Sequence, residues 1–107
     1  MKLTIEVLAK QGNYQELYQT LQALLTTIRK EKGCRECRIY RDTEDGEVFF
    51  LAVDWGEEEN LVQYLRSNSG SALLGAIDLL SETTRVRIGT EEQWEGIETL
   101  KKMRREK

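Results

Sequence analysis

The sequence predicts an α+β domain: a ferredoxin-like βαββαβ sandwich, with an antiparallel sheet and helices on one face. Three observations predict it. Strand-like and helix-like segments recur as two consecutive strand-helix-strand units. The run Val48-Phe49-Phe50-Leu51-Ala52-Val53 is rich in β-branched and aromatic residues and places apolar side chains on both faces, so its sheet needs two covers. A chain of 107 residues has few segments left for the second cover, which points to another copy of itself.

The elements follow in order. Leu3, Ile5, Val7 and Ala9 alternate with Lys2, Thr4 and Glu6 as a half-buried first strand. After the Gln11-Gly12 turn, Asn13 and Glu16 have capping-box spacing. Tyr14, Leu17, Leu21, Leu24, Leu25 and Ile28 then recur at helical spacing through to Lys32. Arg29, Lys30 and Lys32 suit a last turn, and Gly33 a C-terminal stop. Cys34 to Asp42 reads as a second strand, Thr43-Glu44-Asp45-Gly46 as a hairpin turn, and the run from Val48 as the third strand, closed by Trp55.

Leu61, Tyr64 and Leu65 give the next helix its apolar side. Ser67-Asn68-Ser69-Gly70-Ser71 interrupts it, and Leu73, Leu74, Ile77 and Leu80 continue as a second helical piece. Thr83 to Ile88 alternates as the last strand. Residues 1–90 read as one domain and 91–107 as a C-terminal helical extension. There Thr90 and Gln93 have capping-box spacing, and Trp94, Ile97, Leu100 and Met103 form an apolar side.

The alternation assigns two faces. Leu3, Ile5, Val7, Cys37, Ile39, Phe49, Leu51, Val53, Val86 and Ile88 point inward. Thr4, Glu6, Leu8, Arg38, Tyr40, Val48, Phe50, Ala52, Asp54, Arg85 and Arg87 point outward. The outer set is a large apolar patch if left wet. The expected cover is a two-fold mate, with Glu6 and Asp54 pairing Arg85 or Arg87; the alternative is a monomer whose tail covers the sheet.

Composition narrows the function classes. A formal charge of -3 argues against a basic nucleic-acid binder, and no apolar run approaches the ~18 residues of a membrane span. Glu6 stands where a signal peptide is apolar, so a cytoplasmic protein is expected. The chain has no histidine, which removes the commonest general base and neutral metal ligand. Cys34-Arg35-Glu36-Cys37 is a CxxC leading into a strand. Residues three apart on a strand point to opposite faces, so a bridge or shared metal requires a bent entry. No second CxxC completes a metal set, and no metal is expected. The serine-rich break before the second helical piece lacks the lysine and glycine spacing of a P-loop and reads as a helix break, with Gly70 able to loosen it.

The Lys10-Gln11-Gly12 turn, the Glu31-Lys32-Gly33-Cys34 junction, the Tyr40-Arg41-Asp42 strand end and the spacing Trp55, Glu58, Leu61, Tyr64-Leu65 resemble the antibiotic biosynthesis monooxygenase (ABM) domain, from Leu3 to about Thr90. The resemblance implies a dimeric α+β barrel built sheet to sheet. It also implies a cofactor-independent monooxygenase acting on an aromatic or quinol-type small molecule between sheet and helices. Other relatives degrade haem or have no known activity, so a non-catalytic ligand-binding or regulatory homodimer is the alternative. Trp55 matches the family's tryptophan after the third strand, as a pocket wall or a core residue. Tyr64 falls where quinol-oxidising members often carry histidine and is the candidate catalytic group, a hydrogen-bond donor rather than a base. Gly70 replaces a bulky aromatic. Trp55, Tyr14, Tyr18, Cys37 and Asn68 are the candidate substrate-binding residues. Without histidine the usual proximal haem ligand is missing.

Overall fold

The computed structural model describes residues 1–90 and 92–105. Its elements are β1 (Lys2–Ala9), α1 (Tyr14–Ile28), β2 (Cys34–Arg41), β3 (Val48–Trp55), α2 (Glu58–Arg66), α3 (Asn68–Leu80), β4 (Ser81–Ile88), β5 (Glu95–Gly96) and α4 (Glu98–Arg105). The strands form one antiparallel sheet in the order β2-β3-β1-β4-β5. Without β5 this is the four-stranded antiparallel ferredoxin-like sheet expected from the two strand-helix-strand units.

Side-chain alternation decides which face meets the helices. Leu3, Ile5, Val7, Phe49, Leu51, Val53, Cys37 and Val86 are buried, while Ile39 and Ile88 are half-buried toward the edges. Leu17, Leu21, Leu24, Leu25 and Ile28 line the buried side of α1, and Leu73, Leu74, Ile77 and Leu80 that of α3. Each fully buried leucine or isoleucine of this kind contributes about 1.5–3 kcal/mol of transfer free energy.

On the outer face the register sets up cross-strand rows. Tyr40, Phe50, Glu6 and Arg85 lie side by side, and Arg38, Ala52, Thr4 and Arg87 form the next row. The acids find partners within the chain. Glu6 receives a bidentate pair from Arg85, at 2.7 and 2.8 Å, and Asp54 lies 3.6 Å from the terminal ammonium of Met1. An adjacent strand brings Arg85 closer to Glu6 than any second molecule needs to come.

Several boundaries move for local reasons. Helix α1 ends at Ile28, four residues early, so Arg29, Lys30 and Lys32 lie beyond its last turn. Arg29 instead donates from Nε to the Cys37 carbonyl at 3.0 Å. Asn13 makes no backbone cap; its amide reaches only the Glu16 carboxylate, at 3.5 Å. A full capping box forms at α2, between Glu57 and Asn60. The chain reverses at Gly33, whose φ of +85° suits only glycine, and a Cβ there meets the Asn60 side chain.

The tail does not form one helix from Thr90. Its first regular element is β5, which pairs with Arg85 and Val86 of β4, and helix α4 begins only at Glu98. The Thr90–Gln93 spacing spans Glu91, outside the described residues. Trp94 settles on the outer face, with the guanidinium groups of Arg85 and Arg87 at 4.7 and 4.5 Å from its ring. The chain then crosses the sheet edge, and α4 packs on α2 with Leu100 fully buried. Lys101 pairs with Asp78 of α3 at 2.9 Å, Arg104 contacts Ser71, and Arg66 donates to the Arg104 carbonyl. Leu100→Ala should therefore cost about 2–5 kcal/mol in chemical denaturation. A loss below about 0.5 kcal/mol, the range of ordinary surface substitutions, would show that α4 is not part of the core.

Candidate functional site

The site grows from the end of β3 and the break between α2 and α3. Alternation turns Trp55 inward, and its indole is fully buried. Tyr64, one helical turn after Leu61, faces it with ring centroids 5.5 Å apart and a tilt of 33°. The Tyr64 hydroxyl lies 3.0 Å from Ser69 Oγ. Ser67 makes this contact possible. It is the only residue between the helices, takes an extended conformation, donates its hydroxyl to the Tyr64 carbonyl at 2.6 Å and accepts from the Gly70 amide at 3.1 Å. The break is thus one residue long, with Asn68 to Ser71 already in α3. Gly70 lets the helices touch: a Cβ there would lie 2.1 Å from the Tyr64 carbonyl oxygen.

One polar atom in this cluster has no partner. Trp55 Nε1 is buried without an acceptor. Leu61, Leu65 and Leu73 belong to the same buried core, each at most 1 % exposed.

The structure divides the candidate substrate residues. Trp55, Tyr64 and Cys37 share one end of the inner face, Cys37 opposite Val53. Tyr14 and Tyr18 stack instead on Phe49, with centroids at 5.2 and 5.5 Å, and Arg41 lies over Tyr14. Phe49 is six residues from Trp55 on the same strand, about 20 Å away at ~3.3 Å per residue. Tyr14 and Tyr18 thus line the other end of the face, because helix α1 starts there. Asn68 opens α3 exposed to solvent. Ser69, the partner of Tyr64, went unnoticed in the sequence. Its spacing of five from Tyr64 suggests contact only once the one-residue helix break is known.

Burial governs the chemistry of these groups. It pushes the Tyr64 phenol up to about 12; the Ser69 hydrogen bond works against the rise, and Glu31 and Cys37 add to it. Burial likewise pushes the Cys37 thiol up to about 12, helped by Cys34 and opposed by Arg29. Both groups stay protonated at neutral pH, so Tyr64 can donate a hydrogen bond but cannot act as a base.

Stability should follow the same shifts. A raised folded pKa means that the unfolded chain loses its proton first. The stabilisation is complete below the unfolded values of 9.0 for cysteine and 10.0 for tyrosine and is lost as pH climbs toward 12. A fall in melting temperature is expected to start near pH 9, and Cys37→Ala should delay its onset. A flat profile to pH 11 would contradict the burial of both groups.

A family model described as antibiotic biosynthesis monooxygenase matches residues 1–72. The chain belongs to that family. The match ends inside α3 and includes Trp55, Tyr64 and Ser69. A conserved protein from Methanosarcina mazei Go1 shares the ABM chain's fold with a TM-score of 0.78 at 21% identity, over 85% of this chain and 91% of that one. A Bacteroides thetaiotaomicron protein of unknown function, described as a possible oxidoreductase, gives 0.75 at 20% identity, over 80% and 90%. A structure described as an antibiotic biosynthesis monooxygenase gives 0.72 at 15% identity, over 84% and 98%. These likenesses establish the shared fold. Among curated proteins no match is found. No helix among the described residues is long and apolar enough to cross a membrane.

Proposed function

We propose that this ABM protein binds a small aromatic, quinol-type molecule beside Trp55 and Tyr64 and oxidises it as a cofactor-independent monooxygenase. The observation that carries the reading is the buried Trp55 Nε1–H without an acceptor. An unpaired buried donor costs about 1–3 kcal/mol, which a ligand's phenolic or carbonyl oxygen recovers. Flat indole and phenol faces suit an aromatic substrate, which must part the packing that buries both rings. Tyr64 acts as a donor to a substrate oxygen, and an electron-rich quinol supplies its own acidic proton. Molecular oxygen is the oxidant: one oxygen atom enters the substrate, and the other leaves as water with two substrate hydrogens.

The second reading, a ligand-binding or regulatory homodimer without turnover, is favoured by the burial of both rings and by the lack of a base in the pair. Oxygen uptake with a quinol panel separates the two, comparing the wild type with Tyr64→Phe and Trp55→Phe. Uptake that both variants diminish supports the monooxygenase. Binding without uptake supports the second reading, and neither binding nor uptake sinks both.

In either reading two copies join through the outer sheet face. With Glu6 satisfied internally, the half-buried Leu8, Val48, Phe50 and Ala52 and the 51 % exposed Tyr40 remain to be covered. Sedimentation showing only a protomer-sized species at micromolar concentration would overturn this. A cytoplasmic location fits two free cysteines in one chain.

A further inference from the structure

The CxxC segment is not a regular strand. Cys34 lies opposite Trp55 and Cys37 opposite Val53, while the register shifts between Cys34 and Glu36. Arg35 is the extra residue of a β-bulge. The four residues Cys34 to Cys37 of β2 therefore face three of β3, and both cysteines fall opposite inward-facing residues. This is the bent entry that a bridge between them requires. Cys34 is half-buried against the core, and Cys37 is buried.

Two registered steps separate their Cα atoms by about 6.6 Å, at the upper end of the usual disulfide range of about 4.4–6.8 Å. The remaining closure falls on the first residue of an edge strand, directly after Gly33. A surface cavity of about 420 Å³ opens here, lined by Arg29, Cys34, Arg35, Glu36, Cys37 and Arg38. Three guanidinium groups against one carboxylate make it a mouth for an anion.

We propose that Cys34 and Cys37 form a reversible dithiol-disulfide pair that exchanges with a small disulfide bearing carboxylates. Cys34, the more accessible thiol, attacks one sulfur of the small disulfide. The first small thiol leaves with the Cys34 proton, and a mixed disulfide forms on Cys34. Cys37 then attacks the Cys34 sulfur, and the second small thiol leaves with the Cys37 proton. Two electrons pass from the protein to the small molecule. Burial raises both thiols above their ordinary range, so exchange is slow at neutral pH and quickens as pH rises. The bridge would lie on the strand beside Trp55, which Cys34 faces across the ladder. The inference stands whether or not the ring pair turns over a substrate.

The test uses oxidised glutathione as probe, read by intact mass and non-reducing peptide mapping. The wild type should lose two hydrogens without retaining glutathione and should regain them with dithiothreitol. Cys37→Ser should stop at the mixed disulfide on Cys34, and Cys34→Ser should not react. Arg35→Gln should slow the reaction about tenfold with oxidised glutathione but not with neutral hydroxyethyl disulfide, as expected for charge steering. Far-UV circular dichroism identifies any variant that fails to fold; the wild-type result decides the inference even then. An unreactive wild type, stable glutathionylation without closure, or bridging only between molecules would overturn it.

Discussion

Gly70→Ala is expected to destabilise the protein by about 3 kcal/mol, the upper end for overpacking. Helix propensity alone predicts the opposite sign, since alanine is favoured over glycine by about 1 kcal/mol in a helix interior. The clash wins because its partners are backbone atoms. The new Cβ would sit 2.1 Å from the Tyr64 carbonyl oxygen and 2.7 Å from the Leu65 Cα, and no side-chain rotation relieves either contact. The two helices must part, which pulls Ser67 off its cap and Ser69 away from the Tyr64 hydroxyl. Urea denaturation should show a lower midpoint with an unchanged slope. An unchanged or higher midpoint would mean that the α2–α3 contact is looser than its geometry.

Trp55→Ala is expected to cost about 3–5 kcal/mol, the range for deleting a large buried aromatic. The indole is fully buried, packs at a tilt against Tyr64 and sits at the end of the interior strand β3. Trp55→Phe separates packing from polarity. It keeps one ring and deletes the orphan Nε1–H, so the loss of volume is offset by removal of an unpaired donor costing about 1–3 kcal/mol. Its ligand-free stability should lie close to that of the wild type, while affinity for an oxygen-bearing aromatic falls. Phenylalanine as damaging as alanine would show that Nε1 has a partner in solution, and the site would then lack its distinguishing donor.

The sheet was legible because period-two alternation is a local signal that burial then enforces: the buried faces of β1, β3 and β4 follow it. Helix ends were less legible. Lys30 and Lys32 looked like a last helical turn, yet the chain leaves the helix at Ile28 so that Gly33 can bond to Gly56 and feed the edge strand. The tail misled most. The spacing of Trp94, Ile97, Leu100 and Met103 fits one amphipathic helix, but Trp94 and Leu100 serve opposite faces of the sheet. Pattern within a segment carries no information about an edge that the segment must cross.

The candidate residues divide in the same way. Trp55 and Tyr64 were found from the family spacing, which reflects one strand end and one helix turn. Tyr14 and Tyr18 are equally aromatic and face the same layer, but residue type does not tell which end of a strand a helix starts from. For this chain, the order of residues was enough to determine the α+β class, the inward and outward sets and the family. Only the tertiary structure decided that Trp55 lacks an acceptor, that Glu6 belongs to Arg85 and that a bulge turns Cys34 toward the side of Cys37. Alternation and helical period depend on neighbours a few positions apart, whereas these three features depend on segments brought together from distant parts of the chain or on where one extra residue enters a ladder.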